Sequence, residues 1–287
     1  MAINAFAKAA SAFWGRLRGV PAAGPPAGIG LALGGGFSRG IAHVGVLRVF
    51  EREGVPVQWI AGVSAGSIVA AGYAGGADSR HLEAVARSMK MKDVAGWRLS
   101  KLGVMATHKM EEFLRRALPV HTFERMKIPL TVVATDLSTG EPVLFQGNGE
   151  IFSPVRASCS YPGLFQPVQH NGRYLVDGAI SMEIPAQALR HAGPMPTVSV
   201  ALPPPLVSPD PSSVFSVVNR CFQIMQRRTE AYWRAHSDLV LTPDVHGVSW
   251  DDFGQVTRLI EAGIQAAEKA LPNIWALLNG RQLRRAS

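Results

Sequence analysis

The sequence predicts an α/β protein, with a central, mostly parallel sheet between two layers of helices (a three-layer α/β/α fold). Three observations support this fold class. Short apolar strands alternate with helical periodicity from residue 29 onward, a serine pentapeptide lies between a strand and a helix, and no charged residue occurs from Gly54 to Ala77. Pro56 and five glycines interrupt that uncharged run, so we interpret it as a buried strand, turn and helix rather than a membrane span.

The chain begins its folded part in the order strand, helix, strand, helix, which is typical of a parallel sheet covered on both faces. We predict strands over residues 29–33 and 57–61, a helix over residues 39–53 capped by Gly54, and a second helix that ends near Ala74.

The remaining elements follow from apolar periodicity and turn residues. Asp251 and Asp252 are expected to cap the last helix. We predict helices over residues 81–89, 109–117, 184–191 and 250–270, a long amphipathic helix marked by residues 214–225, and strands over residues 129–136, 141–145, 174–177, 197–202 and 238–242.

Composition indicates a folded protein with one domain. Of its 287 residues, 47% are apolar and 17% are charged, which excludes a disordered chain. No linker composition follows Gly28, so we predict a basic N-terminal tail and linker over residues 1–28, one domain over residues 29–280 with its motifs in residues 31–190, and a basic C-terminal tail over residues 281–287. The two cysteines exclude a disulfide framework.

Most of the formal net charge of +8 lies in the two tails. Residues 5–17 can be drawn as a short amphipathic helix with a basic side, residues 21–28 have the composition of a linker, and Lys8 interrupts what would be the apolar core of a secretory signal. Two interpretations stay open: solvated tails, or attraction to an anionic membrane surface. We expect a cytoplasmic or peripherally membrane-associated protein, and no nucleic-acid partner, because the charge is terminal and not set among aromatic residues.

The pentapeptide Gly62–Gly66 has the G-x-S-x-G pattern of a nucleophile elbow, with Ser64 at its centre. A strand-to-helix turn of this kind needs small residues two positions either side of the serine, because larger side chains would clash in the tight turn. The helix that follows directs its positive dipole end at the serine oxygen. The pattern therefore predicts Ser64 as a nucleophile, against the alternative of a merely tight turn.

Three consecutive glycines, Gly34, Gly35 and Gly36, end the first strand at the same edge of the sheet as the elbow. Backbone N–H groups without Cβ obstruction can stabilise the oxyanion of an acyl-transfer intermediate. The rival is a phosphate-binding loop, but no G-x-x-x-x-G-K-[ST] pattern occurs, and Phe37 or Arg39 breaks a G-x-G-x-x-G pattern in either register.

A nucleophilic serine also needs a base. His43 lies within the first predicted helix, where packing or capping is the expected role, whereas Asp177 follows a strand and precedes Gly178, so its carboxylate can reach a serine on an elbow. An ordinary Asp-Gly turn is the alternative. None of the eight histidines lies in a distinctive small-residue loop after a strand: His43, His81, His108, His121, His170, His191, His236 and His246.

Four sequence blocks in order resemble those of the patatin-like phospholipase family, bacterial branch. Residues 31–47 look like its opening glycine block, residues 62–66 its nucleophile block, residues 157–167 a third block, and residues 177–179 its D-G-[GA] block. Residues 134–140 are also similar to the bacterial members. Four blocks are far more specific than any one of them.

The resemblance implies a Ser–Asp dyad without histidine, with Ser64 as nucleophile and Asp177 as proton acceptor. Gly62, Gly66, Gly178 and Ala179 complete the two motifs. The glycine loop implies the oxyanion hole, formed around Gly34, Gly35 and Gly36 and ordered by Arg39. The implied reaction is hydrolysis of fatty-acyl esters of phospholipids or lysophospholipids through an acyl-enzyme, with no metal or organic cofactor.

Two positions depart from the pattern: Phe37 stands where many members have a small residue, and Met182 where many bacterial members have Asn. Two other functions therefore stay open, a Ser-His-Asp esterase and a catalytically silent lipid-binding or regulatory protein. Head group, acyl position, chain length and oligomeric state are not predicted by the sequence.

Overall fold

The structure is a computed structural model that describes residues 28–94, 96–100, 103–203 and 213–280. The predicted tails, apart from Gly28, lie outside the described residues. The strands are β1 (Ile29–Leu33), β2 (Val57–Val63), β3 (Gly96–Ser100), β4 (Gly103–Ala106), β5 (Leu130–Asp136), β6 (Pro142–Phe145), β7 (Val168–His170), β8 (Arg173–Asp177), β9 (Thr197–Val200) and β10 (Leu239–Leu241).

Helices of very different length accompany these strands. The α-helices are α1 (Ala42–Glu53), α2 (Ala65–Ala74), α3 (Ser79–Ser88), α4 (Met91–Val94), α5 (His108–Ala117), α6 (Phe152–Ser158), α7 (Val214–Arg234) and α8 (Val256–Leu278), and 3-10 turns cover Phe37–Ile41, Phe123–Arg125, Gly178–Ile180 and Gln187–Ala192. Within the described residues, no helix is both long and apolar enough to cross a membrane.

The main sheet confirms the predicted fold class. Strands β10, β9, β1, β2 and β5 follow one another as parallel neighbours, and β6, β7 and β8 add antiparallel pairings at the β5 side. Strands β3 and β4 form a separate hairpin that the sequence did not predict, and helix α6 was also missed.

The two faces of the sheet are covered unequally. Along β1, Leu31 and Leu33 face a large cluster that includes residues of α1, α2 and α8, whereas Ala32 faces a smaller one. The smaller cluster is covered by the 179–189 segment and by Trp233 of α7. Period-two alternation of large and small side chains therefore separates a thick helical layer from a thin one.

Strands β2 and β8 meet end to end beside β5. Residues 132–135 of β5 pair with β6, residues 130–133 pair with β2, and residues 134–136 pair with β8. Because a strand has only two edges, and β6 overlaps both other partners, β2 and β8 share the edge opposite β6. Strand β2 runs parallel to β5 and β8 runs antiparallel, so their carboxyl ends converge.

Three predicted helices needed correction. The segment predicted as a helix over residues 184–191 forms only a 3-10 turn, Gln187–Ala192, because Pro185 disfavours helical backbone at Ile184. The helix predicted from residue 214 runs on to Arg234.

The last helix was predicted six residues too early. It begins at Val256, because Asp252 Oδ1 accepts a hydrogen bond from the Gly254 N–H at 2.9 Å and closes a turn instead of capping a helix. It continues past Pro272 to Leu278, where Ile274 and Leu278 extend the buried face.

Candidate active site

Ser64 lies on a strained turn between β2 and α2. Its backbone angles are φ 52° and ψ −130°, a conformation that costs a non-glycine residue energy and is found at nucleophile elbows. The Ser64 N–H donates to Ser158 Oγ at 2.8 Å, and the Ser64 carbonyl accepts from the Ser67 N–H at 2.8 Å. These hydrogen bonds hold the strained residue at the first turn of α2.

The glycine two residues after Ser64 allows that turn to touch the first strand. A Cβ placed on Gly66 would lie 2.3 Å from the Leu33 carbonyl oxygen and 2.6 Å from that of Gly34. Gly62 is equally confined, since a Cβ there would meet Ser67 Cα at 2.6 Å. The motif glycines thus bring the elbow against the glycine loop at the end of β1.

The glycine loop places free N–H groups beside the serine. A Cβ on Gly35 would lie 3.2 Å from Ser64 Cβ, so the two residues are in van der Waals contact. The Gly34 N–H donates to the Val200 carbonyl at 3.1 Å, whereas no acceptor among the described residues bonds the N–H groups of Gly35 or Gly36. The unbonded donors of this loop are therefore those of Gly35 and Gly36.

Two buried side chains, those of Arg39 and His43, bind carbonyl oxygens of the glycine loop and hold it in shape. The Arg39 side chain, 7% exposed, donates from Nε to the Gly36 carbonyl at 3.3 Å. His43 is fully buried with Nε2 2.8 Å from the Gly34 carbonyl oxygen, so Nε2 carries the proton. Burial lowers the pKa of His43 to about 4, and the imidazole is neutral at pH 7. His43 is thus the packed residue that its helical position indicated.

Asp177 is fully buried at the end of β8, opposite Ala134 of β5. Because Val63 pairs with the preceding residue of β5, Val133, the carboxylate arrives at the level of Ser64. One carboxylate oxygen, Oδ1, accepts from the Ala179 N–H at 2.9 Å.

The other oxygen, Oδ2, is buried without an aligned hydrogen bond among the described residues, although interaction with the Ser64 hydroxyl lowers the pKa of Asp177. Burial has the larger effect and raises that pKa to about 7. Catalytic hydrogen bonds are often incompletely aligned before substrate binds.

Gly178 lets the chain turn at the junction of β2 and β8. A Cβ on Gly178 would lie 2.2 Å from the Val133 carbonyl oxygen and 2.6 Å from Val63 Cγ2. Ala179, the next residue, supplies the N–H that binds Asp177, and its Cβ contacts the Gly35 position. The Asp-Gly-Ala motif therefore touches both the nucleophile strand and the glycine loop.

Ser64 and Asp177 open into one cleft of about 300 Å³. Helix α7 contributes several polar side chains to it, and no histidine of the described residues lines it. The lining consists of Gly35, Gly36, Phe37, Arg39, Ser64, Tyr161, Asp177, Ala179, Glu183, Leu202, Ser216, Asn219, Arg220, Gln223, Gln226, Val248, Ser249 and Trp250.

Phe37 and Met182, the two residues that depart from the family pattern, lie in different parts of the structure. Phe37, at φ 51°, packs edge-on against Tyr161 and Trp250 with ring centroids 5.0 Å apart in each pair, so it forms a wall of the cleft. Met182 is buried in the thin layer below the sheet and lines a second cleft of about 140 Å³, which shares Glu183 with the first.

Sequence reasoning missed several residues of the site. Ser158, which binds the Ser64 N–H, lay within the third block but had no assigned role. Glu183 carried no motif; it is largely buried, accepts from Trp233 Nε1 at 3.2 Å, and burial raises its pKa to about 7. The polar residues of α7, such as Asn219, reach the cleft only through the tertiary fold.

Comparison with known proteins finds relatives of similar sequence. An uncharacterised NTE family protein of Mycobacterium tuberculosis, Rv1063c, is 32% identical over 177 residues, which are 61% of this chain and 49% of that protein. The lysophospholipase NTE1 of Cryptococcus neoformans is 32% identical over 173 residues, 58% of this chain and 10% of that protein. The chain thus spans about half the length of the mycobacterial relative and much less of the fungal one.

The fold also occurs among solved structures. VipD from Legionella pneumophila superposes with a TM-score of 0.50 at 13% identity, covering 88% of this chain and 67% of that one. The family model described as patatin-like phospholipase matches residues 31–190, a span that includes the glycine loop, Ser64 and Asp177. As the four sequence blocks predicted, the chain belongs to the patatin-like phospholipase family.

Proposed function

We propose that the protein is a serine acyl hydrolase that cleaves fatty-acyl esters of phospholipids or lysophospholipids through a Ser64–Asp177 dyad. The observation that carries this proposal is the convergence of β2 and β8 beside β5, which brings a strained serine and a buried carboxylate into one cleft. The family match and the lysophospholipase among the relatives support the lipid substrate.

In the proposed reaction, Asp177 accepts the Ser64 hydroxyl proton while Oγ attacks the ester carbonyl carbon. The carbonyl electron pair moves onto oxygen, and the resulting oxyanion accepts from the N–H groups of Gly35 and Gly36. Collapse reforms the carbonyl and breaks its bond to the alcohol, which leaves with the proton from Asp177. Water then attacks the acyl-enzyme, Asp177 takes its proton, and the fatty acid is released as Ser64 is reprotonated.

In this proposal Gly34, Arg39 and His43 do not contact the substrate but keep the glycine loop in the shape that the reaction needs. Gly34 has its N–H bonded to Val200, so in our proposal it shapes the oxyanion hole without donating to the substrate. Arg39 and His43 bind the carbonyl oxygens of Gly36 and Gly34 and keep the loop N–H groups turned toward the cleft.

A Ser-His-Asp esterase fits less well. None of the described histidines lines the cleft, and the buried His43 has its Nε2 proton engaged by Gly34. The carboxylate has the properties that a base needs in the absence of histidine, because a pKa of about 7 lies near the working pH.

Labelling with a fluorophosphonate probe tests the proposal. We expect the probe to label wild-type protein and to fail on Ser64→Ala, in which no oxygen is available to attack phosphorus. Ser160→Ala is the control, since Ser160 is also buried and its hydroxyl donates to the Arg156 carbonyl.

Labelling that persists in Ser64→Ala would overturn the nucleophile assignment. Labelled wild-type protein that releases no fatty acid from any phospholipid or lysophospholipid would instead indicate a hydrolase of other esters. Wild-type protein that binds lipid vesicles but is neither labelled nor active would favour a catalytically silent lipid-binding member of the fold. A lipid substrate also implies that the protein acts at a lipid surface. That the basic segment of residues 1–28 binds this surface is a hypothesis from the sequence, because the segment, apart from Gly28, lies outside the described residues.

A further inference from the structure

Helix α7 turns several polar side chains toward the protein, which is unusual for a surface helix, although its Trp233 is buried in the usual way. Ser216, Asn219 and Gln223 face inward and line the Ser64 cleft. A surface helix normally turns its apolar face to the core and its polar face to water. The outward face of α7, which we call the outer stripe, instead carries Val214, Val217, Cys221, Ile224, Met225 and Tyr232, of which Met225 and Tyr232 also line the second cleft.

The outer stripe concentrates the exposed apolar surface of the protein. Five of the eight large apolar side chains that are exposed among the described residues belong to it, with exposures from 47% for Val217 to 82% for Val214. At 3.6 residues per turn, the stripe and the cleft-lining face lie roughly 180° apart around the helix. Exposed apolar surface in one contiguous row marks an interaction site.

The charges on α7 are strongly unbalanced. The helix carries Arg220, Arg227, Arg228 and Arg234 but a single acidic residue, Glu230. Arg228 is exposed, follows Ile224 by one helical turn and precedes Tyr232 by another, so it lies within the outer stripe. Arg220 lines the cleft and Arg234 pairs with Glu230, so Arg228 is the arginine of α7 that lies with the apolar row. An exposed apolar row that carries a basic side chain is found on helices that lie in the interface of an anionic membrane.

We propose that the outer stripe of α7 docks the protein on the surface of an anionic lipid bilayer. In this orientation Val214, Val217 and Ile224 enter the acyl boundary and Arg228 contacts lipid phosphates. The opposite face of the same helix borders the cleft, so the helix, about 10 Å thick, is all that separates the membrane surface from Ser64. The inference rests on the proposed function, because a lipid hydrolase meets its substrate at that surface.

The charges of α7 indicate that a lipid bilayer, and not a second copy of this chain, covers the outer stripe. A symmetric contact between two α7 helices would place arginines against arginines, whereas lipid phosphates neutralise them. The N-terminal segment of the chain is also basic, so it lacks the acidic groups that would complement α7.

A fluorophore at Cys221 measures docking directly. Cys221 is exposed on the outer stripe, and Cys159, the other cysteine, is buried. A polarity-sensitive nitrobenzoxadiazole label on full-length protein should therefore report from the stripe. We expect a blue shift and higher intensity with vesicles of phosphatidylcholine mixed with phosphatidylglycerol, and a weaker response with phosphatidylcholine alone.

Variants test the apolar and the charged parts separately. Ile224→Asp should lower the partition coefficient for the mixed vesicles at least about tenfold, because an aspartate cannot enter the acyl boundary. Arg228→Gln should lower it about fivefold. Leu137→Asp is the matched control: Leu137 is 56% exposed at a turn after β5, away from α7, and its loss should leave binding unchanged.

Hydrolysis of a water-soluble short-chain ester separates this inference from the proposed function. We expect Ile224→Asp to keep that activity while losing activity on vesicles, which also shows that the variant is folded. Unchanged vesicle binding by Ile224→Asp, or loss of binding only on deletion of residues 1–27, would overturn the inference. A dimeric wild type that Ile224→Asp converts to a monomer with vesicle binding unchanged would assign the stripe to a second copy and overturn it too. A wild type inactive on every ester would count against the proposed function alone.

Discussion

The floor and the roof of the Ser64 cleft are built in opposite ways. The floor, which consists of Gly35, Ser64, Gly66, Asp177 and Gly178, is backbone packed on backbone, with no room for a Cβ at Gly66 or Gly178. The roof is helix α7, which presents long polar side chains to the cleft and an exposed apolar row to the outside. The comparison indicates that the floor leaves little room for change, and on the proposed function the floor determines the chemistry and the roof determines access to it.

The largest effect is expected at the floor, from Asp177→Asn. Asparagine keeps an acceptor for the Ala179 N–H but cannot take the Ser64 proton, so turnover should fall by about 10³-fold or more. Steady-state release of fatty acid measures this loss, and circular dichroism checks the fold. Retention of more than a tenth of the activity would assign the base elsewhere.

The same variant should be more stable than wild type at pH 8. The folded-state pKa of Asp177 is raised, so between about pH 4 and pH 7 the native protein holds a proton that the unfolded chain has released, and stability falls as pH rises through that window. Above pH 7 the wild type carries the full cost of the buried charge, at most about 4 kcal/mol. Asn removes that cost, whereas at pH 4 the two proteins should unfold alike.

A steric test of the floor is Gly178→Ala. Its Cβ would meet the Val133 carbonyl at 2.2 Å, so the junction of β2 and β8 must open, at a cost of about 3 kcal/mol in the free energy of unfolding. Urea denaturation measures the change. Gly254→Ala is the control, because its only close neighbour is the end of the Asp252 side chain. Equal stability of the two variants would contradict the tight floor.

A smaller, graded effect should come from pH. On the proposed mechanism Asp177 acts in its ionised form, so kcat/KM should rise about tenfold per pH unit below pH 7 and level off above it. The profile should be recorded with a water-soluble ester, which keeps membrane docking out of the measurement. An activity that is flat from pH 5 to pH 8 would be incompatible with a base of this pKa.

The smallest effect is expected at the roof, from Asn219→Ala. Asn219 Oδ1 accepts from the Tyr161 hydroxyl at 2.9 Å, at the cleft wall and not at the reacting atoms. We expect kcat/KM on a soluble ester to change by less than about threefold, since one hydrogen bond at a hydrated surface contributes little. A loss comparable to that of Asp177→Asn would erase the distinction between floor and roof.

The same distinction explains how much could be predicted from the sequence. The elbow at Ser64 and the Asp-Gly turn at Asp177 are local patterns, in which the backbone requirement is visible within five residues. The bonded state of the Gly34 N–H was not visible, because its acceptor, Val200, lies far along the chain.

Two predicted helices were wrong because a local residue preference acted against the apolar periodicity from which they were predicted. Pro185 overruled the apolar periodicity of residues 184–191, and Asp252 used its cap-forming side chain to close a turn at Gly254. The roof could not be predicted for another reason. Which face of α7 lines the cleft is determined by the tertiary fold and cannot be inferred from the sequence of the helix alone.

The convergence of β2 and β8 on one edge of β5 has a consequence for folding. The strand before Ser64 and the strand that ends at Asp177 are separated by about 110 residues, so their meeting closes a long loop, and such contacts form slowly. On the proposed mechanism, a refolding chain regains its helices before it regains activity. Catalysis then reports completion of the sheet, and the interval between helix recovery and ester hydrolysis measures how late β8 joins it.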